Sequence, residues 1–272
     1  MINKNINKNV DIFIYGVKAF TPIVSNPIYK ILVNSNDPSE KFNTNLEIYR
    51  DYDGDNITDK NLIYNEYTGL YWIWKNWKLK DYIGLNHYRR YYDFLDNVPN
   101  INEIFKKHKI ILNRRFPLTL NNKPANNRDF YADWHNVEDF DLMGDIVKEL
   151  YPEYADGWDK MAQSDYIYPS SIFIMPRKLF DDYMQYIFDV TEEFCDRRNC
   201  HTNEDYVNYV TKNSEKYIRA NHPYYDIKMQ ARVIGYLIER CLAAFLMSGG
   251  RKSLEAHSYQ MPWKVYNINY NI

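Results

Sequence analysis

Short apolar runs alternate with stretches of helical rhythm, and this alternation restricts the fold more than any other feature of the chain. Residues 11–15 (Asp-Ile-Phe-Ile-Tyr) and 31–33 (Ile-Leu-Val) read as buried strands, with Pro22 and Pro27 marking a loop between them. Ile63, Tyr67, Leu70, Tyr71, Trp74 and Trp77 then recur at spacings of three and four, which predicts a helix with one core-facing stripe. Residues 82–85, 109–112 and 172–175 predict further strands. Residues 137–150, the stretch opened by Pro176 and running to about 198, and 228–248 before Gly249-Gly250 predict helices. Strands that alternate with helices favour a largely parallel sheet in an α/β fold. No repeat, low-complexity linker or composition shift divides the 272 residues, so one domain is the simplest organisation. Residues 1–10 are polar and Asn/Lys-rich, and are expected to be loosely ordered.

Composition excludes some functions. A formal net charge of -2 advertises no basic field for nucleic acid. The first ten residues lack the apolar stretch of a secretory signal, and no apolar run approaches the ~20 residues of a membrane span. A cytoplasmic protein is expected, with a peripheral position at the inner face of the cell membrane left open. The 27 tyrosines and 6 tryptophans suit stacking on sugar faces, although an AT-rich genome produces the same bias. The three cysteines, Cys195, Cys200 and Cys241, are too few and too irregular for a disulfide framework. Cys195, Cys200 and His201 have no second ligand pair at zinc-finger spacing.

The most informative segment is 82–92, where an apolar strand runs directly into Asn86-His87-Tyr88-Arg89-Arg90-Tyr91-Tyr92. In open α/β sheets, ligands bind beyond the carboxyl ends of the strands. Adjacent guanidiniums at such an edge suit a diphosphate, whose charge grows as it leaves; internal ion pairs with Asp93 or Asp96 are the structural alternative. Asp51-Tyr-Asp53-Gly-Asp55-Asn56 resembles a cation loop but lacks the EF-hand glycine at Asn56 and glutamate at Leu62. Asp53-Gly-Asp55 can be read as an Asp-x-Asp clamp or as a solvated turn capping the next helix. The polar segment 116–136 reads as an irregular substrate loop carrying His135, itself expected at the surface. Asp165 precedes a strand, and Arg232 and Glu239 lie near one face of the last helix.

Taken together, several stretches resemble a known family. These are Asp55-Asn56-Ile57 with Lys60-Asn61; Glu66-Tyr67-Thr68; Tyr71-Trp72-Ile73-Trp74-Lys75-Asn76; Tyr82-Ile83-Gly84 with His87-Tyr88-Arg89-Arg90-Tyr91; Phe173-Ile174-Met175; and Gln230, Arg232, Gly235-Tyr236-Leu237 and Glu239-Arg240. Their order and spacing are similar to a capsular-polysaccharide synthesis family catalogued as domain of unknown function 4422. Ser171 and Gly69 depart from the usual asparagine and alanine. The resemblance implies a nucleotide-sugar transferase of GT-A type, a single Rossmann-like domain over residues 11–272. It also implies an inverting transfer from UDP-galactofuranose to a glycan or lipid-linked glycan. Carried over by position, Asp55, Asn56, Lys60, Asn61, His87, Tyr88, Arg89 and Arg90 line the donor site, and His135 and Arg232 stand on the acceptor side. Glu66, Asp165 and Glu239 are the candidate bases. Manganese or magnesium dependence and a metal-independent, arginine-based site are both left open, as is the oligomeric state. A non-catalytic glycan-binding or assembly protein with the same fold is the alternative function.

Overall fold

The computed structural model describes residues 7–218 and 226–270. Nine strands form its main sheet: β1 (Val10–Gly16), β2 (Tyr29–Val33), β3 (Glu47–Arg50), β4 (Tyr82–His87), β5 (Arg90–Tyr92), β6 (Ile110–Asn113), β7 (Phe173–Pro176), β8 (Ser258–Met261) and β9 (Trp263–Val265). The spatial order is β8-β6-β7-β4-β1-β2-β3, with β5 bridging β4 and β9. Strand β1 is parallel to β2 and β4, β2 to β3, and β6 to β8. The exception near the centre is β7, antiparallel to both β4 and β6.

Every residue of β1 and β2 is buried. Helices or loops cover both faces, so these strands read as mostly apolar runs rather than alternating ones; the exceptions are Asp11, which accepts from Trp77 Nε1, and Lys30, which pairs with Glu47. The two-residue period still divides the core. Phe13 and Tyr15 face one cluster while Ile12 and Ile14 face the other, and Phe173 and Met175 are likewise separated from Ile172 and Ile174. The larger cluster is roofed by α2 (Tyr67–Asn76), α5 (Val137–Leu150), α6 (Ala155–Gln163), α7 (Arg177–Arg198) and α11 (Val233–Met247). The remaining α-helices among the described residues are α1 (Asn61–Tyr64), α3 (Ile101–Phe105), α4 (Asn127–Trp134), α8 (Asn203–Lys212), α9 (Ser214–Tyr217) and α10 (Ile227–Gln230). Among the described residues, no helix is long and apolar enough to cross a membrane.

Three expectations need correction. The stripe from Ile63 to Trp77 is two helices, because Asn65 breaks the chain with φ 54° and ψ -132° between α1 and α2. The helix expected over 228–248 is likewise divided into α10 and α11 at Ala231–Arg232. The segment 116–136 is not wholly irregular: Asn126 caps α4, its side chain accepting from the Asp129 N–H at 2.7 Å. Of the expected loose N-terminus, residues 1–6 lie outside the described residues. Asn7 is tied down, its side chain donating to the Pro99 carbonyl and accepting from the Ile101 N–H, and β1 starts at Val10.

Candidate active site

The chain runs from β1 outward to β2 and β3, then returns to the opposite side of β1 as β4. Strand order reverses there, and the parallel pair β1/β4 brings Tyr15 level with His87 at its carboxyl ends. Such a switch point leaves a crevice open above the sheet. A cleft of about 400 Å³ occupies it. Its walls are Tyr15, Gly16 and Val17 beyond β1; His87, Tyr88 and Arg89 beyond β4; and Asn61, Leu62, Asn65 and Glu66 from the α1–α2 joint. Lys228, Met229 and Arg232 from the α10–α11 joint and Tyr270 complete it.

A buried carboxylate organises the β1 side. Asp51, at the end of β3, accepts from Asn34 Nδ2 at 3.0 Å and Thr68 Oγ1 at 3.1 Å, and the Tyr15 hydroxyl lies 3.3 Å from it. Asn61 Nδ2 donates to Tyr15 OH at 2.8 Å, so this network fixes a cleft residue from each of β1 and α1. Burial raises the Asp51 pKa while its hydrogen bonds oppose the rise. Gly69 makes the arrangement possible: a Cβ there would lie 2.5 Å from the Tyr15 ring, so glycine lets α2 press onto β1.

The opposite wall is cationic. Arg89 is exposed, its guanidinium 5.0 Å over the Tyr88 ring, and Tyr88 stacks on Tyr270 at 4.4 Å. Arg232 Nε donates to Asn65 Oδ1 at 2.6 Å. Gly235 is needed for that contact, because a Cβ would stand 1.7 Å from Asn65 Nδ2. Lys228 is the third cleft cation. None of the three is within ion-pair distance of a carboxylate among the described residues. His87 Nδ1 accepts from the Arg89 N–H at 3.3 Å, leaving Nε2 as the protonated donor. Burial, then Arg90, Arg89 and Arg232, push the His87 pKa down to about 3, so the ring is neutral at working pH.

One candidate base lies in the cleft. Burial and the nearby Glu239 raise the Glu66 pKa to about 7, with Arg232 and Arg90 pulling the other way. Glu239 accepts from the Ser170 N–H at 2.9 Å, within a turn whose Ser170 and Ser171 both have left-handed backbones, and from Arg240 at 3.3 Å. It does not line the cleft, and it is not ion-paired with Arg232. Asp165 is exposed ahead of the short strand Tyr166–Ile167 and lines neither cavity described here.

Of the eight donor-site expectations, Asn61, His87, Tyr88 and Arg89 reach the cleft. Arg90 pairs across from His87 on β5 and acts on the site through its charge. Asp55 is exposed and held against α2: its backbone bonds both atoms of the Asn76 amide, and Tyr71 OH donates to its carboxylate at 3.1 Å. Asn56 donates to the Tyr52 and Gly54 carbonyls and its Oδ1 accepts from the Thr58 N–H at 3.3 Å. The 53–55 turn is therefore fastened to the flank of α2 rather than capping the short helix Thr58–Lys60, which has no side-chain cap. Lys60 lines a second cavity. His135 is buried rather than at the surface, stacked on Tyr236 at 4.1 Å with Nδ1 3.2 Å from Gln230 Oε1. No group of three or more His, Cys, Asp or Glu gathers as a metal site among the described residues.

Sequence reasoning missed Tyr15, Asn65, Lys228, Met229 and Tyr270. The strand-end rule, applied to β1 as it was to β4, would have found Tyr15. The others enter from distant segments and carry no local signal.

The family described as a domain of unknown function (DUF4422) matches residues 11–215. No curated protein matches the chain. Among solved structures, the apo form of the WbbM bifunctional glycosyltransferase is similar, with a TM-score of 0.73 and 23% identity. The match covers 97% of this chain and 46% of that one, so this chain spans about half the length of that protein. With its mostly parallel sheet flanked by helices, the fold is GT-A-like, and the chain belongs to the DUF4422 family.

Proposed function

We propose that this chain is a glycosyltransferase that moves a sugar from a nucleoside-diphosphate donor to a glycan acceptor. The observation that carries the reading is one cleft at the sheet's switch point, holding three cations that have no ion-pair partner among the described residues, beside a carboxylate whose pKa is raised to about 7. A departing diphosphate needs fixed positive charge as the glycosidic bond breaks, and Arg89, Lys228 and Arg232 supply it. Neutral His87 adds an N–H donor without a charge of its own.

Glu66 is the base. An acceptor hydroxyl attacks the anomeric carbon, Glu66 takes its proton, and the bond to the diphosphate breaks with the electron pair leaving on the nucleotide. A single displacement of this kind inverts the anomeric centre. A base with a pKa near 7 is well matched to this work, because it is substantially ionised yet still basic. Tyr88 and Tyr270, stacked in the cleft wall, offer an aromatic surface to the sugar.

The donor is UDP-galactofuranose, the acceptor a growing capsular or other cell-surface polysaccharide, and residues 11–272 form the transferase domain. The chain's likeness to the family's motifs supports this finer reading, while the name of the similar solved structure supports glycosyl transfer in general. Thermal shift against a panel of UDP-sugars, each with and without manganese, tests it together with donor hydrolysis. A donor at about 100 times its Kd stabilises the fold by roughly 2.7 kcal/mol. Slow hydrolysis of the same donor marks a transferase rather than a glycan-binding protein. If no UDP-sugar stabilises the chain under either condition, the reading is wrong.

A further inference from the structure

A second cavity, of about 270 Å³, opens on the other flank of α1. Asn61, Leu62 and Asn65 face the main cleft, while Lys60 and Tyr64 face this one. Its aromatic wall is Tyr71 of α2 against Phe188 of α7, with ring centroids 5.1 Å apart at 77°. The bond from Tyr71 OH to Asp55 holds that ring in place. Asn203 Nδ2 donates to the Asp59 carbonyl at 2.6 Å and ties the start of α8 to the turn beside the cavity.

The charges differ from those of the main cleft. Lys60 faces Glu192 and Asp196, and neither Lys60 nor Glu192 has an ion-pair partner among the described residues. Asp196 lies 3.7 Å from His201 Nδ1, with both side chains largely exposed. Two carboxylates against one lysine repel a diphosphate. They accept hydrogen bonds from a ligand rich in hydroxyls, the lysine donates one back, and an aromatic ring packs on C–H faces.

We infer that this cavity binds a neutral sugar unit. The assignment of that unit to the acceptor glycan rests on the function proposed above. Asn61, Leu62 and Asn65 line the cleft and Lys60 and Tyr64 the cavity, and a helical turn with its side chains is about 10 Å across, so a few linked sugars reach from one to the other. The site would hold the acceptor chain while its end is extended.

Saturation-transfer difference NMR tests the inference, using methyl β-galactofuranoside, methyl β-galactopyranoside and methyl α-mannopyranoside at about 10 mM. At least one glycoside is expected to receive saturation, and to keep it when UDP is in excess. Glu192→Gln with Asp196→Asn, and separately Lys60→Ala, should weaken the signal by roughly fivefold to tenfold. The UDP thermal shift of these variants should match that of the unaltered chain. If the double variant does not fold, E192Q alone is read. No saturation from any glycoside, its loss on adding UDP, or a signal indifferent to the substitutions overturns the inference. A chain that ignores UDP yet shows glycoside binding dependent on Glu192 refutes the nucleotide-sugar reading and leaves the sugar cavity standing.

Discussion

Glu66→Gln separates the two costs of a half-buried base, one to stability and one to activity. The carboxyl's pKa rises from an ordinary 4.5 to about 7, first because of burial and then because of Glu239. Each pH unit is worth about 1.4 kcal/mol, so the full difference corresponds to roughly 3 kcal/mol, and partial exposure brings the expected effect to about 1–3 kcal/mol. The sign follows from proton counts. Between pH 4.5 and about 7 the folded chain keeps the Glu66 proton while the unfolded chain has released it. Glu66 therefore makes stability fall as pH rises through that window, and above pH 7 its whole cost is present. Glutamine cannot ionise, so E66Q should flatten this part of the profile and be more stable at pH 8 by about 1–3 kcal/mol, with little difference at pH 4.5. Urea unfolding of both proteins at pH 4.5, 6 and 8 measures it. Turnover should move the other way, down by roughly 10²–10⁴, since removal of a general base costs that much. Loss of turnover with an unchanged pH–stability profile would refute the raised pKa. A stabilised variant with full turnover would refute the catalytic role.

The other predictions concern the groups around that base. Arg89→Ala should lower turnover about a hundredfold, as removal of one charge-stabilising donor does, while the melting curve stays in place because Arg89 is exposed; steady-state kinetics with calorimetry checks it. Gly235→Ala drives a methyl group into Asn65 and should cost about 1–3 kcal/mol in urea unfolding, with a fall in activity because Arg232 loses its anchor. Asp139→Ala should destabilise by about 3–5 kcal/mol, since Asp139 is fully buried, pairs with Arg198 at 2.6 Å and accepts from Tyr217 at 2.6 Å. Urea titration is again the measurement.

Much of the sheet was legible because its central strands are buried on both faces. Residues 12–15, 82–85 and 172–175 are apolar runs, and an apolar run followed by Asn-His-Tyr-Arg-Arg points to a strand end. What stayed hidden depends on pairs distant in sequence. The apolar stripe continues through Asn65 because α1 and α2 turn the same face to the same core, so periodicity cannot register the break. Its partner across the joint is Arg232, 167 residues away. His135 sits among polar neighbours in sequence, yet Tyr236 and Gln230 bury it.

Lys60 and Asn61 are consecutive, and the family resemblance places both in one donor pocket. Successive helical residues point about 100° apart, and Lys60 ends the short helix Thr58–Lys60 where Asn61 begins α1, so these neighbours face different walls. Asn61 joins the cationic cleft through Tyr15, whereas Lys60 joins the acidic cavity beside Glu192. The junction of two short helices thus divides adjacent polar residues between two chemically opposite surfaces. A diphosphate suits the first and is repelled by the second, so on the function proposed above this junction separates a charged donor from a neutral chain.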